Sequence, residues 1–187
     1  LEEISFQVRR KTRQTELVKE TPNLASVADP LGAKDSTRKI SKPYERERET
    51  ADLVKRLADE RASVIILGEN GVGKTAVLTE GRRQIEKNLL ASEDEDSDTS
   101  DEKNPRYRFW QTNGGRIISG MKYLGQWEQR LEAIIEELAD IDGVLCVENL
   151  LDLVRYGGAG PEESLAAFLV PYLERGEIRV VAGATSL

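Results

Sequence analysis

The sequence predicts an α/β fold of three layers, in which helices cover both faces of a parallel β-sheet. The first observation is that short apolar runs alternate with amphipathic helical stretches along the chain beyond residue 45. The second is a glycine-rich loop at residues 68–75, between one of those runs and a helix. With 187 residues, of which 39% are apolar, the chain is long enough for one domain with a buried core.

The composition excludes several classes of function. The formal net charge of −7 argues against general nucleic-acid binding, because phosphates are neutralised by clustered Lys and Arg. The chain has no His, which excludes imidazole metal sites and Ser-His or Cys-His catalysis. Its one cysteine, Cys146, excludes an internal disulfide and fits a reducing compartment. No apolar run reaches the roughly 18–20 residues of a membrane span. We therefore expect a cytoplasmic protein with neither nucleic acid nor membrane as a partner.

The first part of the chain predicts a lead-in and then a helix and a strand. Residues 1–44 have mixed charge and no sustained periodicity, so we expect an irregular segment before a domain that occupies residues 45–187. Residues that recur at helical spacing predict an amphipathic helix ending near Arg61: Ala51, Leu53, Val54, Leu57 and Ala58. Residues 64–67 are rich in β-branched side chains and precede glycines, which is typical of a buried strand. A helix over about residues 74–90 is expected to follow.

The second half predicts three further strands, separated by helices. Residues 91–105 hold almost no apolar side chains, so we expect a mobile acidic insertion. Residues 106–111 and 144–147 predict strands, and between them a helical stripe is formed by Trp127, Leu131, Ile134, Ile135 and Leu138. A helix is expected over residues 162–174, kinked or tightened by Pro171 and stopped by Gly176. Residues 178–183 predict the last strand.

The glycine-rich loop, GENGVGKT, matches the phosphate-loop motif (P-loop, Walker A) in full. Glycines let backbone N–H groups turn toward an anion, and the following helix N-terminus adds unpaired donors and partial positive charge. We expect Lys74 to reach the β- and γ-phosphates of a nucleoside triphosphate, and Thr75 to offer its hydroxyl to Mg²⁺. The predicted nucleotide-binding residues are Gly68, Glu69, Asn70, Gly71, Val72, Gly73, Lys74 and Thr75.

The strand at residues 144–147 ends in an altered acidic pair. In P-loop nucleotidases a neighbouring strand ends in an Asp that helps to hold the metal, often followed by a Glu that polarises the attacking water. Here Glu148 stands at the metal position and Asn149 at the water position. An amide can orient water but cannot accept its proton, and the loss of a general base typically costs ~10²–10⁴ in rate. We expect nucleotide binding with slow or absent turnover, unless Asp142 or Asp152 substitutes.

Four segments resemble the first ATPase module of the Clp-type AAA+ unfoldases and disaggregases. They are KPYERERE, GENGVGKTAV, GGRIISGMKYLGQWEQRLEAIIEEL and LVPYLERGEIRVVAGATSL, and the resemblance runs from about Lys42 to the C-terminus. The segment TPNLASVADPLGA faintly resembles the family's entry segment. The resemblance implies an AAA+ large subdomain whose four strands are ordered 1-4-3-2 in the sheet. It also implies ATP with Mg²⁺ as cofactors.

The resemblance assigns further residues by position. Tyr123, with Lys122, Leu124 and Gly125, matches the pore loop that grips a polypeptide client inside a hexameric ring, although Leu124 replaces the family's usual Arg. An alternative is that Tyr123 only covers the sheet. Ser186, or alternatively Thr185, matches the polar sensor residue near the γ-phosphate. The full-length protein would then be a homo-hexamer.

The chain departs from the family at the Glu148–Asn149 pair, which is a degenerate Walker B motif, and at the acidic insertion. It also ends before the family's fifth strand, arginine finger and helical lid, which would leave the edge of the phosphate-loop strand exposed. The main hypothesis is an ATP-binding module of a Clp-like chaperone ATPase with weak hydrolysis. The alternative is a non-hydrolysing module in which ATP shapes a protein-interaction surface. A small-molecule P-loop kinase would need a pocket of clustered Arg, which the sequence does not locate.

Overall fold

The computed structural model describes residues 20–31, 42–93, 108–121, 125–158 and 160–185. Within these ranges a five-stranded sheet lies between two layers of helices. The helices are α1 (Pro22–Val27), α2 (Glu47–Val54), α3 (Lys74–Glu93), α4 (Gly114–Ile118), α5 (Gln126–Asp140), α6 (Leu150–Arg155) and α7 (Leu165–Glu174). The strands are β1 (Asp29–Pro30), β2 (Val64–Leu67), β3 (Phe109–Thr112), β4 (Val144–Val147) and β5 (Arg179–Ala184).

The sheet has the strand order β1-β3-β4-β5-β2. The four longer strands are parallel, and their order β2-β5-β4-β3 is the predicted 1-4-3-2 arrangement, so the predicted class is confirmed. The sequence missed β1, a two-residue strand that pairs antiparallel with β3. At the opposite edge β2 exposes two apolar side chains, Ile65 and Leu67.

Each face of the sheet has its own apolar cluster. One cluster lies under α1, α5 and α7 and includes Trp110 and Leu145, and the other lies under α2 and α3 and includes Phe109 and Cys146. All four residues of β4 are buried because this central strand is covered on both faces. Its continuous apolar run follows from that double burial.

Part of the predicted irregular lead-in is regular. Leu24 and Val27 of α1 are at most 3% exposed, and Glu137 of α5 accepts hydrogen bonds from the backbone N–H groups of Asn23 and Leu24. The carboxylate therefore satisfies donors at the N-terminus of a helix too short to be stable alone. The helix is missing from the sequence-based prediction because contacts with α5 stabilise it. Residues 1–19 and 32–41 of the lead-in lie outside the described residues.

Several predicted boundaries shift. The first predicted helix is α2 followed by a wider π-helical turn at Lys55–Asp59, and the second predicted strand runs over Phe109–Thr112. The last predicted helix begins at Leu165, because the hydroxyl of Ser164 caps it and accepts from the N–H of Ala167. Pro171 lies inside that helix, which ends before Gly176 with φ 69°.

The acidic insertion begins within α3, and its residues 94–105 lie outside the described residues. Two short helices, α4 and α6, were not predicted. No helix in the described ranges combines the length and the apolar character that crossing a membrane requires.

Candidate nucleotide-binding site

The predicted phosphate loop connects β2 to α3 at the carboxyl end of the parallel sheet. The N–H of Gly68 donates to the carbonyl of Ala184 at the end of β5, at 3.0 Å, which ties the start of the loop to the neighbouring strand. Gly71 and Gly73 have φ of 84° and 97°, in the left-handed region where a Cβ is strained. The loop conformation therefore depends on glycine at both positions.

The side chain of Lys74 folds back into the loop. Its ammonium Nζ donates to the carbonyl of Gly68 at 2.6 Å and to the carbonyl of Glu69 at 3.0 Å. An ammonium has three N–H donors, so one donor remains for an anion. Because Lys74 is also the first residue of α3, this charge lies beside the unpaired N–H groups of a 20-residue helix. The arrangement suits a phosphate group.

Gly183 joins the two strand ends to this loop. A Cβ at Gly183 would lie 2.4 Å from the backbone oxygen of Glu148 and 3.7 Å from Cε of Lys74. The end of β4, the end of β5 and the lysine side chain therefore meet at one glycine. Gly183 was not among the predicted site residues, although a glycine inside a strand often marks such a close backbone approach.

Glu148 follows β4 with an exposed carboxylate. Its Oε1 accepts a hydrogen bond from Nε2 of Gln111 in β3, at 2.9 Å. Mg²⁺ prefers oxygen ligands and usually keeps waters, with one or two carboxylates and the phosphates of the substrate. The hydroxyl of Thr75 in the first turn of α3 and the carboxylate of Glu148 fit this chemistry. Within the described ranges no group of three or more His, Cys, Asp or Glu side chains forms an all-protein metal cage.

Asn149 is the N-cap residue of α6. Its Oδ1 accepts from the N–H of Leu151 at 3.1 Å, and its Nδ2 donates to Asp152 at 3.3 Å. Both polar atoms of the side chain therefore already have partners within α6. This local role was not predicted, although Asn is a favoured N-cap residue and precedes an apolar segment.

The remaining predicted site residues are described only in part. Thr185 is exposed directly after β5, whereas Ser186 lies outside the described residues. Of the predicted pore loop only Gly125 is described, at the N-cap of α5 with φ of 85°. Residues 122–124 lie outside the described ranges, so the roles of Lys122, Tyr123 and Leu124 stay predictions.

A cluster of arginines lies at the amino ends of the strands, opposite the phosphate loop. Arg61, Arg108 and Arg179 each donate to the carboxylate of Asp142, and Arg179 also donates to the backbone oxygens of Leu57 and Asp142. Burial alone would raise the pKa of Asp142, but the arginine hydrogen bonds and charges lower it overall. Burial lowers the pKa of Arg179, which still stays protonated near neutral pH. Asp142 is therefore ion-paired with three arginines at the amino end of β4, whereas Glu148 lies at its carboxyl end.

The chain is similar to known proteins over nearly its whole length. No model of a known protein family matches the chain. The ClpC ATP-binding subunit of the ATP-dependent Clp protease of Staphylococcus epidermidis is 31% identical over 98% of the chain, and that of Staphylococcus aureus (strain USA300) is 33% identical over 95%. The chain therefore belongs with the Clp-type AAA+ ATPases. The predicted resemblance is confirmed.

Solved structures have a similar fold. The Saccharomyces cerevisiae Hsp104–ADP complex covers 87% of this AAA+ chain with a TM-score of 0.62 and 22% identity. The Hsp104–casein complex in its extended conformation gives the same TM-score at 23% identity. At this level of identity the likeness is one of fold. The AAA+ chain spans about a fifth of the length of the ClpC relatives, 20–21%, and 26% of the Hsp104 chain.

Proposed function

We propose that this Clp-type AAA+ module binds ATP with Mg²⁺ at residues 68–75, as part of a larger chaperone ATPase. The observation that carries the proposal is the loop itself, whose glycines adopt left-handed conformations and whose lysine ammonium is held inside by two backbone carbonyls. The relatives named ATP-binding subunits and the ADP complex of Hsp104 support a nucleotide as the ligand.

In this proposal each part of the loop has one task. The backbone N–H groups of residues 68–75 and the N-terminus of α3 bind phosphate oxygens, and Lys74 turns its third N–H toward the β- and γ-phosphates. Thr75 and Glu148 would hold Mg²⁺, which when bound neutralises charge on the phosphates. Thr185, or Ser186 beyond it, would contact the γ-phosphate.

We expect hydrolysis to be slow because Asn149 stands where the family's general base stands. An amide cannot accept a proton, and here Oδ1 of Asn149 caps α6 while Nδ2 donates to Asp152. Phosphoryl transfer depends chiefly on positioning and charge, so some turnover can remain without a base.

A second candidate is a module in which bound ATP is not hydrolysed and shapes a protein-interaction surface. The observation that favours it is that α6, which Asn149 caps directly beside the site, exposes two apolar side chains, Leu151 and Val154, at 44% and 42%. A nucleotide that moved the end of β4 would move these side chains with the helix.

The larger assembly is proposed by analogy alone. We propose that Tyr123 and its neighbours at 122–125 grip a polypeptide client and that the full-length protein is a homo-hexamer. One Hsp104 structure is a complex with casein, a polypeptide, which supports the first of these. A cytoplasmic location is part of the same proposal.

Calorimetry with a slowly hydrolysed ATP analogue and Mg²⁺ tests the site. The change Lys74→Ala should raise the Kd about 10–100-fold, because a hydrogen bond to a charged group contributes about 1.5–3 kcal/mol. Lys87→Ala, which removes an exposed lysine from the same helix, is the matched control and should leave the Kd unchanged. Equal heats for wild type and Lys74→Ala would contradict the proposal that residues 68–75 bind the nucleotide.

Steady-state ATPase activity of the intact protein separates the two candidates. Asn149→Glu should raise a slow wild-type rate by up to roughly 10²–10⁴-fold, which is the contribution of a general base. Asn149→Ser keeps an N-cap residue without a carboxylate, so it should leave the rate unchanged. Rapid turnover by the wild type would eliminate the non-hydrolysing candidate. It would also contradict the proposal that Asn149 makes hydrolysis slow.

A further inference from the structure

Gln111 of β3 contacts the proposed metal residue from a neighbouring strand. It pairs in register with Cys146 of β4, two residues before Glu148, so its side chain lies on the same face of the sheet as that of Glu148. Phe109, two residues earlier in β3, packs in the cluster under α3. This is therefore the face that carries the helix of the phosphate loop.

The hydrogen bond restricts a side chain that would otherwise rotate freely. The Glu148 carboxylate is exposed, and a Glu side chain loses rotamer entropy when it is held in one position. Donation from Nε2 of Gln111 to Oε1 at 2.9 Å supplies part of that ordering before any ligand binds. An ionised carboxylate has about four acceptor sites, so Oε2 and a second lone pair of Oε1 stay available to a metal or its waters.

We propose that Gln111 is a positioning residue that orients the Glu148 carboxylate for Mg²⁺, an inference that rests on the proposed function. Outer partners of this kind fix the orientation of a ligand and tune its affinity for a metal. Gln111 allows a glutamate, which is one methylene longer than an aspartate, to act as the metal ligand at the carboxyl end of β4. The loop residues bind phosphate without help from Gln111, so its effect falls on the metal alone.

Mg²⁺ titrations of nucleotide binding test this role. A fluorescent, slowly hydrolysed ATP analogue is bound to the full chain at increasing Mg²⁺, and its affinity without metal is measured in EDTA. Gln111→Met removes the amide but keeps the length of the side chain. It should raise the Mg²⁺ concentration at half-saturation about tenfold, the lower end of the effect of such partners. The affinity for the nucleotide without metal should not change. A merely structural defect would instead weaken both Mg²⁺ binding and metal-free nucleotide binding.

Gln84→Met is the matched control. Gln84 of α3 also donates through Nε2 to a glutamate, Glu80, at 3.3 Å, but it is exposed and about 15 Å along the helix from Lys74. The same substitution at Gln84 should leave the Mg²⁺ half-saturation at the wild-type value. An equal shift in both variants would overturn the proposal.

A double-mutant cycle with Glu148→Gln completes the test. Because the proposed role acts through the carboxylate, Gln111→Met should have no further effect on Mg²⁺ dependence in the Glu148→Gln background. Additive effects, or an unchanged half-saturation in Gln111→Met alone, would overturn the role of Gln111. The proposed function fails by a separate result, equal nucleotide binding by wild type and Lys74→Ala.

Discussion

Asp142 should be one of the most important single carboxylates for the stability of the described fold. Three guanidinium groups converge on it, from Arg61 at 2.7 Å, Arg108 at 3.2 Å and Arg179 at 2.8 Å. It precedes β4, while its partners precede or begin β2, β3 and β5. The cluster therefore joins the amino ends of all four parallel strands. Asp142→Asn removes the negative charge and keeps the shape, and Asn tolerates the positive φ of 51° at this position.

The size of the expected stability loss follows from how deeply each arginine partner is buried. The Arg61 side chain is 60% exposed, and such a pair contributes about 0–1 kcal/mol. The Arg179 side chain is 10% exposed, so in Asp142→Asn a buried guanidinium loses its compensating negative charge. It keeps its hydrogen bonds to the backbone oxygens of Leu57 and Asp142. Hydrogen bonds to charged groups contribute about 1.5–3 kcal/mol, and Asp142 is partly exposed. We expect the free energy of unfolding to fall by roughly 2 kcal/mol, which lowers Tm by about 4–8 °C in a domain of this size.

Thermal unfolding of both forms at several pH values is the assay. The pKa of Asp142 is lowered in the folded state, so its charge contributes stability above the ordinary aspartate pKa of about 3.9. This stability is lost as pH falls through the lower folded pKa. The Tm difference should therefore be full at pH 7 and vanish in strong acid. Asp52→Asn is the control, since Asp52 pairs with Arg56 on an exposed helix face. Equal Tm losses for the two variants at pH 7 would refute the reasoning.

Three further outcomes are expected. Gly183→Ala places a Cβ 2.4 Å from the backbone oxygen of Glu148, so it should lower the free energy of unfolding by about 1–3 kcal/mol and weaken binding of the ATP analogue; unchanged calorimetry and Tm would contradict this. Gly114→Ala should lower Tm because its Cβ would lie 2.6 Å from a tyrosine ring, whereas Gly115→Ala, with 3.4 Å to its nearest atom, should not. Burial raises the pKa of the Cys146 thiol to about 12, so a thiol reagent at pH 8 should label it only upon unfolding; rapid labelling of the native chain would refute its burial.

Local patterns in the sequence were sufficient to predict the main elements and the glycine-rich loop between β2 and α3. The apolar run at residues 144–147 and the stripe in α5 report burial directly, because a strand covered on both faces leaves a continuous apolar run and an amphipathic helix leaves a periodic one. The glycines and the lysine of residues 68–75 form a local motif between a strand and a helix. The order of the four parallel strands came from the family resemblance, and the sheet confirms it.

Contacts between distant residues could not be predicted in this way. The helix α1 exists because Glu137, more than a hundred residues away in the chain, satisfies its N-terminal donors. Gln111 and Glu148 likewise meet only when β3 and β4 lie side by side. The sequence by itself determined the fold class and the place of the glycine-rich loop, since each strand, each long helix and the loop leaves a pattern in consecutive residues. Only the tertiary structure decided which side chains support Glu148 and the N-terminus of α1, because these hydrogen-bond partners are set by the packing of elements that are remote in sequence.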